Sequence, residues 1–304
     1  MLFYEWSNMA GNLLVVGFFL ALVVLNELTR RSKILGIGFF VVFPIIATIF
    51  IWPHTVTAES GVTSWFHWAK TYSALAGCVG FMAIRYIPKL QKNKIALCFP
   101  PLILVINIME AVVRDFQCFG INEVTESGLI IGGTWNILNG LAGILNAVTV
   151  CGWMGIYISK DKSQDMMWPD MCWFWIVAYD VWNYAYVYNT SSDRSTMCGI
   201  ALLASCTFAG FVIKKGAWLQ HRAHTLALYM MCLFTFPSLF TTPELMVYST
   251  NSPVAHMLIS GLALAINAAV AVYQIYTIKK QRKNLFKEEL YTHLECYKKV
   301  AEKA

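Results

Sequence analysis

The stretch WPDMCWFWIVAYDVWNYAYVYN, residues 168–189, is apolar and aromatic almost from end to end, with Asp180 near its middle. Its length is close to the roughly 20 residues that cross a bilayer as a helix. Runs of the same kind lie on both sides of it. They place spans at about 9–28, 34–52, 64–87, 95–114, 130–158, 167–189, 196–214, 217–240 and 254–279. The chain is 58% hydrophobic and 13% charged. A soluble domain carries about a quarter charged residues, and one soluble core would have to bury every run at once. The sequence therefore predicts an all-α, polytopic transmembrane helical bundle of about nine spans.

Charge placement sets the orientation. Arg30, Arg31 and Lys33 follow the first span, and Lys89, Lys92 and Lys94 the third. Lys160 and Lys162 follow the fifth, Lys214 and Lys215 the seventh, and Lys279, Lys280, Arg282 and Lys283 the ninth. The intervening loops carry Glu59, Glu123 with Glu126, Asp193 with Arg194, and Glu244. Basic loops stay cytoplasmic, which puts the N-terminus outside and the C-terminus in the cytoplasm. An eight-span chain would break the alternation. The N-terminus lacks the basic region of a cleavable signal peptide and reads as a retained first span. The expected organisation is a membrane domain, residues 1–278, and a basic cytoplasmic amphipathic tail, residues 279–304, with Leu285, Phe286, Leu290, Leu294 and Val300 spaced along a helix.

The nine cysteines form no CxxC pair and read as small core residues. The net charge of +6 makes no continuous basic face, so no nucleic-acid partner is expected. Prolines interrupt the second, fourth and eighth spans at Pro44, Pro100, Pro101 and Pro237. Such breaks line cavities in some transporters and are structural elsewhere.

An ionisable residue inside a span costs several kcal/mol unless it is paired, hydrated or neutral. Asp180 is the sharpest case. At 100° per residue, Trp173, Asp180, Asn183 and Tyr184 share a face. That face can bind a polar ligand or relay a proton; the alternative is a neutral Asp180 bonded to a neighbouring helix. The fifth span puts Asn136, Asn139 and Asn146 on one side, beside Gly140, Gly143, Ala147, Cys151 and Gly155. Such a stripe suits close helix contact, and three amides also suit a polar cavity. In the ninth span His256, Ser260, Asn267 and Gln274 lie in one arc. Asn107, Glu110 and Arg114 follow one another at spacings of three and four, so Glu110 can pair with Arg114 in-helix or with Lys70 of the third span. His256 joins these charges as a candidate proton relay. His221 and His224, three apart in QHRAH, suit a shared metal or an interfacial position with Arg222 snorkelling.

A microbial rhodopsin needs a mid-membrane lysine on a late helix, and the eighth and ninth spans have none before Lys279. A ceramidase-like zinc hydrolase needs HxxxH on a late span, where this chain has HxxH. The segment from Asn136 to Lys214 is different. It runs from the amide-rich span, through SKDKSQDMMWPD, to the Trp-Pro step Trp168–Pro169, the stretch YDVWNYAYVY and a third apolar run. It resembles the three-helix unit of SWEET sugar transporters and PnuC vitamin transporters, although the Pro-Gln motif of the sugar family is absent. The resemblance implies a solute pathway lined by Asn139, Asn146, Trp173, Asp180 and Asn183. The full-length pattern resembles an uncharacterised bacterial multi-span membrane protein family.

These readings lead to a cell-membrane transporter or permease for a small polar solute, aromatic or nucleoside-like solutes included. Its site would lie between the fifth, sixth and ninth spans. Asp180 would bind the solute or a coupling proton, with Asn139, Asn146, Asn183, Asn267, Gln274, Trp173 and Tyr184 shaping the pocket. The alternatives are a non-transporting ligand sensor or assembly subunit, and an intramembrane metalloenzyme. No catalytic set and no cofactor motif is identified. The expected partners are the lipid bilayer and a small solute, and a homo-oligomer is compatible with the pattern.

Overall fold

A computed structural model describes residues 2–124 and 130–303, so Glu126 of the outer-loop acids lies outside the described residues. The protein is mostly helical. Its long helices are α1 (Met9–Arg31), α2 (Lys33–Phe50), α3 (Trp65–Tyr86), α4 (Phe99–Ile121), α5 (Thr134–Val148), α6 (Trp173–Thr190), α7 (Thr196–Ile213), α8 (Trp218–Thr235) and α9 (Pro253–Gln281). Two short antiparallel pairs accompany them, Glu123–Val124 with Ile130–Ile131 and Tyr157–Ile158 with Met166–Met167.

Among the described residues, five helical stretches are long and apolar enough to cross a membrane: Met9–Arg31, Lys33–Phe50, Lys94–Ile121, Thr196–Ile213 and Pro253–Gln281. Their outer faces carry large apolar side chains in the open, among them Leu13, Leu20, Ile45, Ile49, Leu258 and Val272. Extensive exposed apolar surface of this kind marks a surface made for a non-aqueous partner. The chain is a membrane protein.

Local chemistry sets the helix ends. Asn8 caps α1 by accepting from the Gly11 amide at 3.2 Å. Ser32 alone separates α1 from α2. Its extended backbone breaks the helix, and its hydroxyl caps the next one through the Leu35 amide at 3.3 Å. The helix expected to reach residue 158 stops at Val148. Thr149 Oγ1 donates to the carbonyls of Leu145 and Asn146, at 2.9 and 3.0 Å, and Gly152 turns the chain at φ +64°. A Cβ on Gly152 would lie 2.6 Å from that of Asp170, so the turn requires glycine.

The helix α8 occupies the centre. Every residue from Ala217 to Met231 is buried. It packs against α3 on one side and against α1 and α7 on the other. A second group forms where α5 packs between α4 and α9, with α6 against both α5 and α9. Small residues allow the close approach: a Cβ on Gly143 would lie 2.5 Å from Val112 of α4 and 2.6 Å from the Trp182 indole nitrogen of α6.

The tail differs from the expected amphipathic helix. Its described helical part is α10, the seven residues Glu295–Ala301. The segment before it folds back as turns. Asp170 accepts the main-chain amides of Leu290 and Tyr291, each at 2.7 Å. Leu290 and Tyr291 are buried with Cys151 and Cys172, and Tyr291 stacks on Tyr273. Satisfied backbone donors and burial thus hold the tail without a continuous helix.

Candidate functional site

A cavity open at one end lies between α3, α4, α6 and α8, with Cys198 of α7 at its edge. His67, Ser191 and Arg194, all half-buried, mark one end. Tyr179 lies twelve residues before Ser191 along the same chain segment, about 18 Å deeper at the helical rise. Phe66, Phe81, Ile103, Leu104, Leu226 and Leu233 supply apolar walls.

Three cations line this cavity: Arg194 at the end marked by His67, paired with Asp193 at 3.1 Å, and Lys70 and Arg222. Lys70 is buried, 2.9 Å from Glu110 Oε2, and donates to the Asn107 carbonyl at 2.7 Å. Ser73 also donates to Glu110, at 3.2 Å. Lys70 therefore has a full set of acceptors. Arg222 does not. Its Nε donates to the Tyr179 hydroxyl at 3.1 Å and its Nη2 to Asn183 Oδ1 at 3.3 Å. Its Nη1 is buried without a partner, and no carboxylate lies within 4 Å of it among the described residues. A guanidinium can bind two acceptors side by side, so this free edge suits the second oxygen of an anion.

The expected site residues divide sharply. Asn183 and Lys70 line the cavity. Asp180 does not: it accepts from Thr207 of α7 at 2.7 Å, and Thr207 in turn accepts from the Trp218 indole at 3.0 Å. Trp173 points outward and is 60% exposed. Tyr184 packs edge-on against Phe3. Gln274 is buried in α9, away from the cavity. Asn146 donates to Asn267 Oδ1 at 3.0 Å, and Asn267 donates to the carbonyls of Ala178 and Ala263. These two amides tie α5, α6 and α9 together rather than line a pathway. The site expected between those helices is thus a packed interface, and the open space lies on the opposite side of α6.

The outer charges also sort out. Glu110 pairs with Lys70, and no ion pair joins it to Arg114 among the described residues. His256 bonds Asn189 at 2.8 Å and Asn251 at 2.9 Å and stacks on Trp135, so it is held apart from Lys70 and Glu110. His221 Nδ1 meets Asn26 Nδ2 at 2.9 Å, and His224 Nδ1 lies 3.4 Å from Thr29 Oγ1. Among the described residues no third His, Cys, Asp or Glu joins them to make a metal site.

Two groups went unrecognised in the sequence. One is the end of the bundle around Asp165. This fully buried carboxylate receives Arg30 and Ser163 at 2.5 Å and Gln220 at 2.9 Å, with Arg85 and Lys214 each at 3.7 Å. Beside it, Asp161 lies at the loop surface. Its pKa is opposed by partial burial, but the Lys214 ammonium and the hydroxyls of Ser163 and Ser159 hold it well below the usual carboxylate range. The other is Asp115 of α4, which accepts from Asn136 at 2.7 Å and Asn139 at 2.8 Å. The fourth span as read from the sequence ended one residue short of it.

A family model described as "Family of unknown function (DUF5692)" matches residues 5–303. No curated protein and no solved structure matches the chain.

Proposed function

The chain belongs to the DUF5692 family of unknown function, and we propose that it is a permease that binds a small organic anion in the cavity beside Arg222. In this reading all nine long helices cross the cell membrane, with the N-terminus outside and the C-terminus in the cytoplasm. The basic loops support that orientation. The mouth at His67 and Arg194 then faces outward, and the solute meets Arg222 part of the way across.

One observation carries the anion: the buried guanidinium of Arg222 with its unpartnered Nη1. A charge buried without a counter-ion is costly. A carboxylate or phosphate on the solute would remove that cost. Tyr179 and Asn183 hold the guanidinium by its other nitrogens, which leaves the free edge pre-oriented. The apolar walls favour a solute with an aromatic or aliphatic body. Lys70 adds positive potential but is already neutralised by Glu110.

Benzoate, phenyl phosphate and benzyl alcohol distinguish charge from shape. Thermal-shift titration of the purified protein should show binding of an anion and none of the alcohol. Arg222→Gln should weaken anion binding at least tenfold, about 1.4 kcal/mol. Equal binding of all three by both proteins would end the proposal. The ties around Asp165 favour a second reading, a receptor whose inner end stays shut. Uptake of the bound anion into proteoliposomes separates the two: a receptor gives binding without flux.

A further inference from the structure

Asp115 is fully buried between α4 and α5, as are Asn136 and Asn139 beside it. Each amide nitrogen donates to one carboxylate oxygen. No lysine, arginine or histidine nitrogen lies within 4 Å among the described residues. The Oδ1 atoms of both asparagines are buried without a partner. The arrangement thus has an uncompensated carboxylate and two idle acceptors within reach of it.

A proton resolves both defects at once. Carbonyl and amino ends of an asparagine are assigned by the hydrogen-bond network and can exchange. With Asp115 protonated and one amide turned over, the new hydroxyl donates to that amide's Oδ1. The other amide still donates to the remaining carboxyl oxygen. The separations of 2.7 and 2.8 Å are hydrogen-bond lengths. They are shorter than oxygen pairs spread around a metal ion would be. Binding takes one proton from water and releases none from the amides.

We propose that Asp115, clasped by Asn136 and Asn139, is an exchangeable proton-binding site of the membrane domain. The titratable groups around it are Cys118 and Arg114 on its own helix and Tyr186 on α6. The α5 side offers amides. The clasp also reaches the cavity. Trp182 donates its indole N–H to the Asn139 carbonyl at 3.1 Å, and its ring contacts Tyr179 and Tyr186, which line the cavity. The proton site is one aromatic layer behind the solute site. Proton binding stands apart from the anion reading, whereas coupling between the two sites rests on it.

Infrared difference spectroscopy of the whole protein in lipid nanodiscs tests the site directly. Spectra are taken between about pH 5 and about pH 9, in sodium and in choline chloride. A protonated-carboxyl band should fade as pH rises, shift in heavy water and be lost completely in Asp115→Asn, with no dependence on sodium. The asparagine is isosteric, and circular dichroism checks that it folds. Three results would each overturn the proposal: no band removed by Asp115→Asn, a band fixed at every pH and unmoved by heavy water, or a band displaced by sodium. Probe binding at Arg222 is measured separately, so failure of one site is not mistaken for failure of the other.

Discussion

Asp165 and Arg30 stand 135 residues apart in the chain, and their side chains meet at 2.5 Å. The contact joins the end of α1 to the loop between α5 and α6. Gln220 brings in α8 and Arg85 brings in α3. Removing the carboxylate by Asp165→Ala leaves two buried guanidinium groups short of an acceptor. Breaking a buried pair costs about 3–5 kcal/mol. Arg30 keeps Glu27, so the lower end applies. Thermal unfolding in detergent should show that loss, and a variant as stable as wild type would contradict it.

The neighbouring Asp161 predicts an acid response. Its folded-state pKa is depressed, so its contribution to stability is present above the unfolded value of about 3.9. That contribution is lost as pH falls through the depressed value. The hydrogen-exchange protection of residues 159–166, corrected for the intrinsic pH dependence of exchange, should therefore fall below about pH 4 and stay level from there to neutrality. Lys214→Gln should remove most of the effect, because Lys214 is the principal partner. An acid response that survives Lys214→Gln would point to another group.

Asn146→Ala should destabilise the protein by about 1–3 kcal/mol, the cost of leaving a buried partner unsatisfied. Asn267 loses its donor to Oδ1 and keeps its two carbonyl acceptors. Binding of anions in the cavity should not change. A variant with normal stability and altered binding would return the pathway to the α5–α9 interface.

Trp173→Ala and Asp180→Asn address the face on which the sequence placed the site. Trp173 is outward-facing, so its truncation should move stability by no more than about 0.5 kcal/mol. Asp180→Asn keeps an acceptor for Thr207 and should leave probe affinity within about twofold, under 0.5 kcal/mol. A tenfold loss of affinity in either would show that the cavity extends around α6.

The helices were legible because an apolar run that spans lipid must satisfy its own backbone, and only a helix does so alone. The cavity was not. A wheel drawn on one helix ranks faces but does not say which neighbour covers them, so Asp180 and Trp173 were placed together on a face that the fold divides between α7 and the exterior. The polar run Gln220, His221, Arg222 and His224 reads, from the sequence, as an interfacial end or a shared metal site. Successive residues on a helix point 100° apart, so these residues, with Thr225 one step further on, spread over about 200° of the circumference. A polar arc wider than half the circumference needs protein on more than one side, and that signal points to α8 as an enclosed element, buried at every residue from Ala217 to Met231. Asp115 escaped because the span was closed at the preceding arginine.

The two amides that close on Asp170 belong to residues synthesised 120 and 121 positions later. At roughly 5–20 residues per second, that interval is about 6–24 s. Through it Asp170 lacks both tail amides, while α6 to α9 are made. A premature stop before Leu290 would leave every apolar helix intact and this carboxylate unclaimed. Quality control that senses exposed polar loops would then have a simple mark of an unfinished chain.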